Sequence, residues 1–280
     1  MIFGLSHGEI NCFPEKSMKV LLIADVIGKP GRRLLEMYLP SLIQTEDLDF
    51  VVANAENAAH GFGVTPEVAD ELLRIGIDVL TSGNHIWDKK EIIDYIDKDG
   101  RLLRPANYPA QSPGKGFAIF KSRSGLKVGV LNLQGRIFMG PSEDPFTIGL
   151  QIVERLRAET PVILVDMHCE ATSEKQAMGW FLDGKVSCVF GSHTHVPTAD
   201  QRILPGGTAY VTDIGMTGPY DSVIGIEKEQ IIQKFLDQIP TRFKIAKENP
   251  ILQAILVEID PQSGHALSIR RITQKGEEEE

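Results

Sequence analysis

Short apolar runs in this 280-residue chain end, one after another, on side chains that bind hard or borderline metal ions. Val20-Leu21-Leu22-Ile23-Ala24 is followed by Asp25, and Val51-Val52-Ala53 by Asn54-Ala55-Glu56-Asn57. Val79-Leu80-Thr81-Ser82 leads into Gly83-Asn84-His85, and Ile163-Leu164-Val165-Asp166-Met167 into His168. Val189-Phe190 leads into Gly191-Ser192-His193-Thr194-His195. Taken singly, an Asp after a strand reads as a cap or turn former, and an Asn-His pair as a turn. The His-x-His spacing is more telling, because in an extended segment both rings project to one side. The joint occurrence decides: four of the seven histidines stand at these ends, with Asp25, Glu56, Asn57 and Asn84. Up to eight oxygen and nitrogen donors exceed the roughly four that one tetrahedral zinc takes. A pair of ions about 4 Å apart, bridged by a carboxylate and a hydroxide, fits that number; it clamps a phosphate ester and supplies the attacking oxygen.

The remaining histidines, His7, His60 and His265, read as surface positions, His60 in a Gly-rich loop that follows Glu56. Cys169 points away from its neighbour His168 if the chain is extended there and reads as packing; Cys188 alternates within an apolar strand and reads as core.

The elements that must position these residues alternate in type. Continuous apolar runs, as at 19–24, fit strands buried on both faces. Further strands are expected at 50–53, 78–81, 162–167 and 186–190. Helices are expected at 31–45, with Leu34, Leu35, Tyr38, Leu39 and Leu42 on one stripe, and at 66–75, with Thr65 as N-cap, Pro66 at the first position and Gly76 at the end. Others fall at 89–96, 145–159, 173–182 and 227–238. Hairpins are expected around Ser124-Gly125, Pro205-Gly206-Gly207 and the turn at 261–264. Parallel-type units come first and hairpins later. That order predicts one α/β domain with a mixed sheet, or two sheets packed face to face with helices outside. In such sheets, ligands collect beyond the C-terminal ends of strands, where the donor residues stand.

Composition sets the bounds. With 42% hydrophobic and 24% charged residues, disorder, collagen and disulfide scaffolds are excluded. No apolar run is long enough for a membrane helix. The net charge of −9 argues against an extended nucleic-acid surface, though metal ions could make a local cationic site. Three cysteines without paired spacing, and no secretory signal in the first residues, point to a cytoplasmic protein. Residues 1–17 read as a disordered extension, 18–273 as a single domain and 274–280 as an acidic tail.

The ordered stretches Ile23-Ala24-Asp25-Val26-Ile27-Gly28, Asn54-Ala55-Glu56-Asn57, Ser82-Gly83-Asn84-His85, Asn132-Leu133-Gln134-Gly135-Arg136, the run from His168 to Lys175, Gly191-Ser192-His193-Thr194-His195 and Gly215-Met216-Thr217-Gly218-Pro219 resemble the calcineurin-like metallophosphoesterase superfamily, closest to its YmdB-like branch of bacterial cyclic-nucleotide phosphodiesterases. Two departures from the wider superfamily match that branch: Ile27 replaces the His of Asp-x-His, and Glu56 with Asn57 replaces the bridging Asp. The resemblance implies a four-layer α/β/β/α sandwich of two mixed sheets. It implies one ion held by Asp25, Glu56, Asn57 and His195, and a second by Glu56, Asn84, His168 and His193. His85 is then the non-ligand imidazole above the phosphate. A single nitrogen donor at the first ion favours iron or manganese. The implied reaction is hydrolysis of 2′,3′-cyclic and also 3′,5′-cyclic nucleotides. A metal-bridging hydroxide attacks phosphorus while His85 stabilises or protonates the leaving oxygen. Thr172, Ser173, Thr217 and Gly218 flank the site as candidates for substrate contact. The expected partner is a small-molecule phosphodiester, and a homo-oligomer is compatible with the sequence.

Two other readings stand beside this one. One is a phosphomonoesterase or RNA-end nuclease, separated by activity on monoesters against cyclic diesters. The other is a metal-containing regulatory scaffold in RNA turnover or signalling, whose ligand-site variants would keep their biological effect.

Overall fold

The computed structural model describes residues 16–23 and 25–276. The expected extension at 1–17 lies outside the described residues up to 15; Lys16, at the described edge, is exposed and pairs with Asp47. In chain order the elements are β1 (Met18–Ile23), β2 (Asp25–Val26), α1 (Gly28–Thr45), β3 (Phe50–Asn54), α2 (Pro66–Ile75), β4 (Val79–Thr81) and α3 (Ile92–Ile96). There follow β5 (Phe117–Lys121), β6 (Lys127–Gln134), α4 (Pro145–Arg157), β7 (Ile163–His168), α5 (Thr172–Leu182) and β8 (Cys188–Ser192). The last are β9 (Arg202–Ile203), β10 (Ala209–Val211), β11 (Met216–Pro219), α6 (Lys228–Asp237), β12 (Pro250–Ile259) and β13 (Ala266–Lys275).

These strands form two mixed sheets among the described residues. One runs β2-β11-β12-β1-β3-β4, with β13 also on β12; the other runs β5-β6-β7-β8-β10-β9. β1, β3 and β4 are parallel, as are β6, β7, β8 and β10, so their C-terminal ends share one side of each sheet. Antiparallel β5 and β9 close the edges of the second sheet, and β12 and β13 join the first antiparallel; the three expected hairpins are among these pairs.

Strand alternation explains the layers. Val20, Leu22, Phe50 and Val52 point between the sheets, against Val130, Leu164, Cys188 and Phe190. Their neighbours Leu21, Ile23, Val51 and Ala53 point outward and are covered by Leu35 and Leu39 of α1 and Leu72 of α2. On the other side Leu131, Leu133, Val165 and Met167 pack on Val153 and Leu156 of α4 and Met178 of α5. Three apolar cores therefore separate four layers, α/β/β/α. Burial on both faces is why these strands read as continuous apolar runs. Each fully buried Leu or Phe contributes about 1.5–3 kcal/mol.

The helix ends follow local chemistry. Thr65 Oγ1 accepts from the Val68 amide at 3.3 Å, Pro66 opens α2, and Gly76 closes it at φ 120°. Asp144 caps α4 through the amides of Phe146 and Thr147. Several boundaries differ from expectation. α1 starts at Gly28, three residues before the expected 31, and α3 is shorter than 89–96. β13 continues through Gln274 and Lys275, which pair with Leu252 and Ile251, so the sheet includes the first residues assigned to the tail. The short strands β2 and β11 are not among the expected elements. Two to four residues carry no readable periodicity, and these strands exist through pairing with each other and with β12.

Candidate metal centre

All five donor-bearing ends meet at one place. Asp25 stands in β2, Glu56 and Asn57 follow β3, Asn84 and His85 follow β4, His168 ends β7, and His193 and His195 follow β8. Both sheets thus aim the C-terminal ends of their parallel strands at a shared point. Asp25, Glu56 and His168 are fully buried and Asn57 nearly so.

Glu56 is the hub. Its Oε1 lies 3.0 Å from His168 Nε2, and its Oε2 accepts from the His85 amide at 3.1 Å. Asn84 Oδ1 and His193 Nδ1 approach the same His168 Nε2 at 3.0 and 3.1 Å. Asn57 Nδ2 reaches Glu56 Oε1 at 3.3 Å and His195 Nε2 at 3.1 Å. Asp25 Oδ2 accepts from the His193 amide at 3.1 Å, while its Oδ1 is buried without a hydrogen-bond partner. Gly83 is obligatory here, because a Cβ would run into the His168 ring and Glu56 Oε2.

The electrostatics describe a knot of donors. Burial pushes the Asp25 carboxyl well above its ordinary range. Burial also acts upward on Glu56, but the adjoining His168 outweighs it and holds the carboxyl below its usual range. Burial opposes the charge on His168, and Glu56 overcomes it, raising that imidazole. His193 is pushed down to about 3 by burial and by His168, and burial lowers His195. Such crowding of carboxylate oxygens and imidazole nitrogens suits a cation. One atom each of Glu56, His168 and His193 lies within 4.8 Å of the others, and Asp25 supplies an unpartnered oxygen, so the residues fit a metal ion.

Supporting side chains fix the rings. Ser192 Oγ accepts from His168 Nδ1 at 2.9 Å and donates to Asp166 Oδ1 at 2.6 Å, which leaves His168 Nε2 facing the centre. Asn54 Nδ2 and Thr81 Oγ1 hold the other Asp166 oxygen at 3.1 and 2.5 Å. His195 Nδ1 donates to the Ile224 carbonyl at 2.8 Å, which presents Nε2 to Asn57. Asp213 bonds the Thr194 amide and hydroxyl at 3.2 and 2.7 Å and is itself paired with buried Lys175 at 2.6 Å. These supports escaped the sequence reading, although Asp166, a polar residue inside an apolar run, was an available signal.

A known family enters at this point. The family model for YmdB-like protein matches residues 21–272. The chain belongs to that family. It is 48% identical over 255 residues to the 2′,3′-cyclic-nucleotide 2′-phosphodiesterase of Bacillus subtilis (strain 168), covering 91% of this chain and 96% of that protein. A putative phosphatase/phosphodiesterase of Mycoplasma pneumoniae is 35% identical over 87% of this chain and 88% of its own length. Among solved structures, a novel phosphatase from Mycoplasma pneumoniae superposes with a TM-score of 0.87 at 33% identity, covering 93% of this chain and 94% of that one. A hypothetical protein from Thermus thermophilus superposes with a TM-score of 0.86 at 39% identity, covering 92% and 99%. The fold is that of the calcineurin-like phosphoesterases, and the YmdB-like chain is a hydrolase of phosphoric esters.

Other sequence expectations meet mixed placements in the YmdB-like fold. His193 and His195 are not in an extended segment. They adopt φ of 94° and 64°, so a left-handed turn rather than strand alternation brings their rings to the centre. His85 lies beside the cluster, its Nδ1 2.8 Å from Asp88 Oδ2. Thr172 and Ser173 are exposed at the start of α5. Thr217 and Gly218 are buried in β11; the Thr217 hydroxyl is engaged at 3.3 Å with the Gln253 backbone, and neither residue lines the cavity. His60 and His265 are exposed, Cys169 and Cys188 are buried in apolar clusters, and His7 lies outside the described residues.

A cavity of about 900 Å³ opens over Glu56, Asn57, His85, His193 and His195. Its far wall is made by α6 and the segment after it, including Phe235, Phe243 and Ile245. No helix among the described residues is long and apolar enough to cross a membrane.

Proposed function

We propose that this chain opens cyclic nucleotides, 2′,3′-cyclic ones foremost and 3′,5′-cyclic ones as well, by metal-assisted hydrolysis at this centre. The observation that carries the reading is the convergence of the buried donors Asp25, Glu56, Asn57 and His168 with the half-buried Asn84, His193 and His195, four of which (Glu56, Asn57, His193 and His195) line the cavity. The phosphodiesterase name of the 48% identical relative supports the choice of substrate. The proposal assigns Asp25, Glu56, Asn57 and His195 to one ion and Glu56, Asn84, His168 and His193 to a second, with iron or manganese as the metal. When bound, such ions activate water at neutral pH and neutralise phosphate oxygens.

The chain's own residues do the rest. Glu56, shared by both ligand sets, holds them in one geometry through its contacts to His168 and the His85 amide. His85, half-exposed at the cavity edge and oriented by Asp88, keeps Nε2 for the leaving ribose oxygen and acts as proton donor there. A single domain that begins near residue 18 and extends through Lys275 of β13, preceded by an extension, and a cytoplasmic location belong to the same proposal.

The test is an assay of 2′,3′-cyclic AMP, 3′,5′-cyclic AMP, AMP and a short RNA at equal metal loading, with metal content measured on the same sample. Opening of the 2′,3′-cyclic isomer with the highest kcat/KM, and two ions per chain, are expected. Faster phosphate release from AMP than opening of either cyclic isomer would replace the proposal with a monoesterase.

A further inference from the structure

The cavity is two-faced. Its floor holds the charged and imidazole donors, whereas its far wall is aromatic and aliphatic. Phe235 on α6 is 82% exposed and Phe62 is 37% exposed, so neither ring is consumed by the core. Exposed rings at the mouth of a polar site mark a surface waiting for a flat apolar group. The wall also has a polar edge. Lys234 Nζ sits 4.7 Å over the Phe243 ring, and Gln238, at φ 59° just past the end of α6, lines the same cavity. An acyl chain or an aliphatic peptide side chain would offer that ammonium and amide no polar group. A planar heterocycle with ring nitrogens and exocyclic oxygens or amines satisfies both.

Position ties the wall to the chemistry. The Phe62 ring meets the His85 ring edge-on, with centroids 5.1 Å apart. A phosphate seated beside His85 therefore has the Phe62 ring as a neighbour in the same cavity. The volume, about 900 Å³, falls within the range for small-molecule sites. α6 buries none of its residues and has no side-chain cap, which leaves this wall free to settle on what it covers.

We infer that Phe62, Phe235 and Phe243 form a stacking subsite for a nucleobase, with Lys234 and Gln238 at its polar edge. The inference rests on the phosphodiesterase reading above and deepens it. It makes the base, and not only the cyclic phosphate, a source of substrate selection. Loss of one stacked ring weakens single-base binding roughly 10-fold or more.

The experiment compares adenosine 2′,3′-cyclic phosphate with the base-free 1-O-methylribose 2′,3′-cyclic phosphate on the manganese-loaded full chain. The unaltered protein is expected to favour the nucleotide in kcat/KM, and Phe235→Ala and Phe62→Leu are expected to cut that preference roughly 10-fold. Phe235, being exposed, can be replaced without disturbing the fold. An equal loss on both diesters, or an unchanged preference, overturns the subsite. Calorimetric binding of adenosine 3′-monophosphate against inorganic phosphate gives a reading without turnover. The gap between the two affinities narrows in both variants if the rings stack on the base and stays constant if they do not. A protein that opens neither diester removes the phosphodiesterase reading, while the binding gap still decides the subsite.

Discussion

The two walls of the cavity are built by opposite rules. The metal side is clamped between two sheets: Glu56, His168, Asp166, Asn54 and Ser192 are all buried and joined by hydrogen bonds. The α6 side buries no helix residue and leaves Ile232, Phe235, Leu236 and Ile239 more than half exposed. That contrast shows where each kind of work sits. Catalytic donors need fixed geometry, which close packing and buried polar networks supply. Recognition of a variable organic group tolerates, and gains from, a wall held by few contacts.

The sharpest cut falls at the hub. Glu56→Gln is expected to take activity to the limit of detection and to lower metal content on both proposed sites; two ions per chain with full turnover would sink the ligand assignment. His85→Ala should keep both ions and slow turnover roughly 10²–10⁴-fold, the scale of a lost proton donor. Loss of an ion in that variant, read by elemental analysis, would make His85 a ligand instead.

A gentler cut tests the support beneath the donors. Asp166→Asn leaves every proposed ligand in place but disturbs the Ser192 relay to His168. Metal affinity should drop roughly 10–100-fold, as for other supporting residues; unchanged affinity would show that packing alone orients the His168 ring.

The helices extend the contrast. α4 is capped by Asp144, whose carboxyl the Thr147 hydroxyl holds below its ordinary value of 3.8. Asp144→Ala should cost about 1 kcal/mol at pH 7. Because the folded value is depressed, that contribution is full above the unfolded value and is lost as pH falls through the folded one. Stability curves of variant and parent should therefore converge in strong acid; a gap that persists there excludes the carboxylate as its source. On uncapped α6, Leu236→Gln should shift stability by less than about 0.5 kcal/mol. A larger loss in thermal unfolding would mean that α6 packs on the domain more firmly than its exposure indicates.

Much of the frame is legible in local sequence. The apolar runs at β1, β3, β7 and β8 stand out because strands buried on both faces need apolar residues at every position. The Thr65-Pro66 start and Gly76 end of α2 are legible because capping is local chemistry. The donor residues stand out because each follows its run directly, and the run's direction sends it to the same edge of a parallel sheet.

The remainder depends on contacts between distant segments. β2 exists only through a partner nearly two hundred residues away in sequence, in the pairing of Asp25 with Met216, and β11 only through β2 and β12. The turn that orients His193 and His195 depends on Asp213 and Lys175, neither of which announces that role in its own neighbourhood. Thr217, legible as part of a motif, proves to be a sheet residue because β12 takes its hydroxyl. The aromatic wall depends on where α6 lands relative to Phe62 and His85, which no periodicity within α6 encodes. Local patterns report the burial and capping of a segment, whereas its neighbours are set by long-range pairing and packing, and the site is made of neighbours.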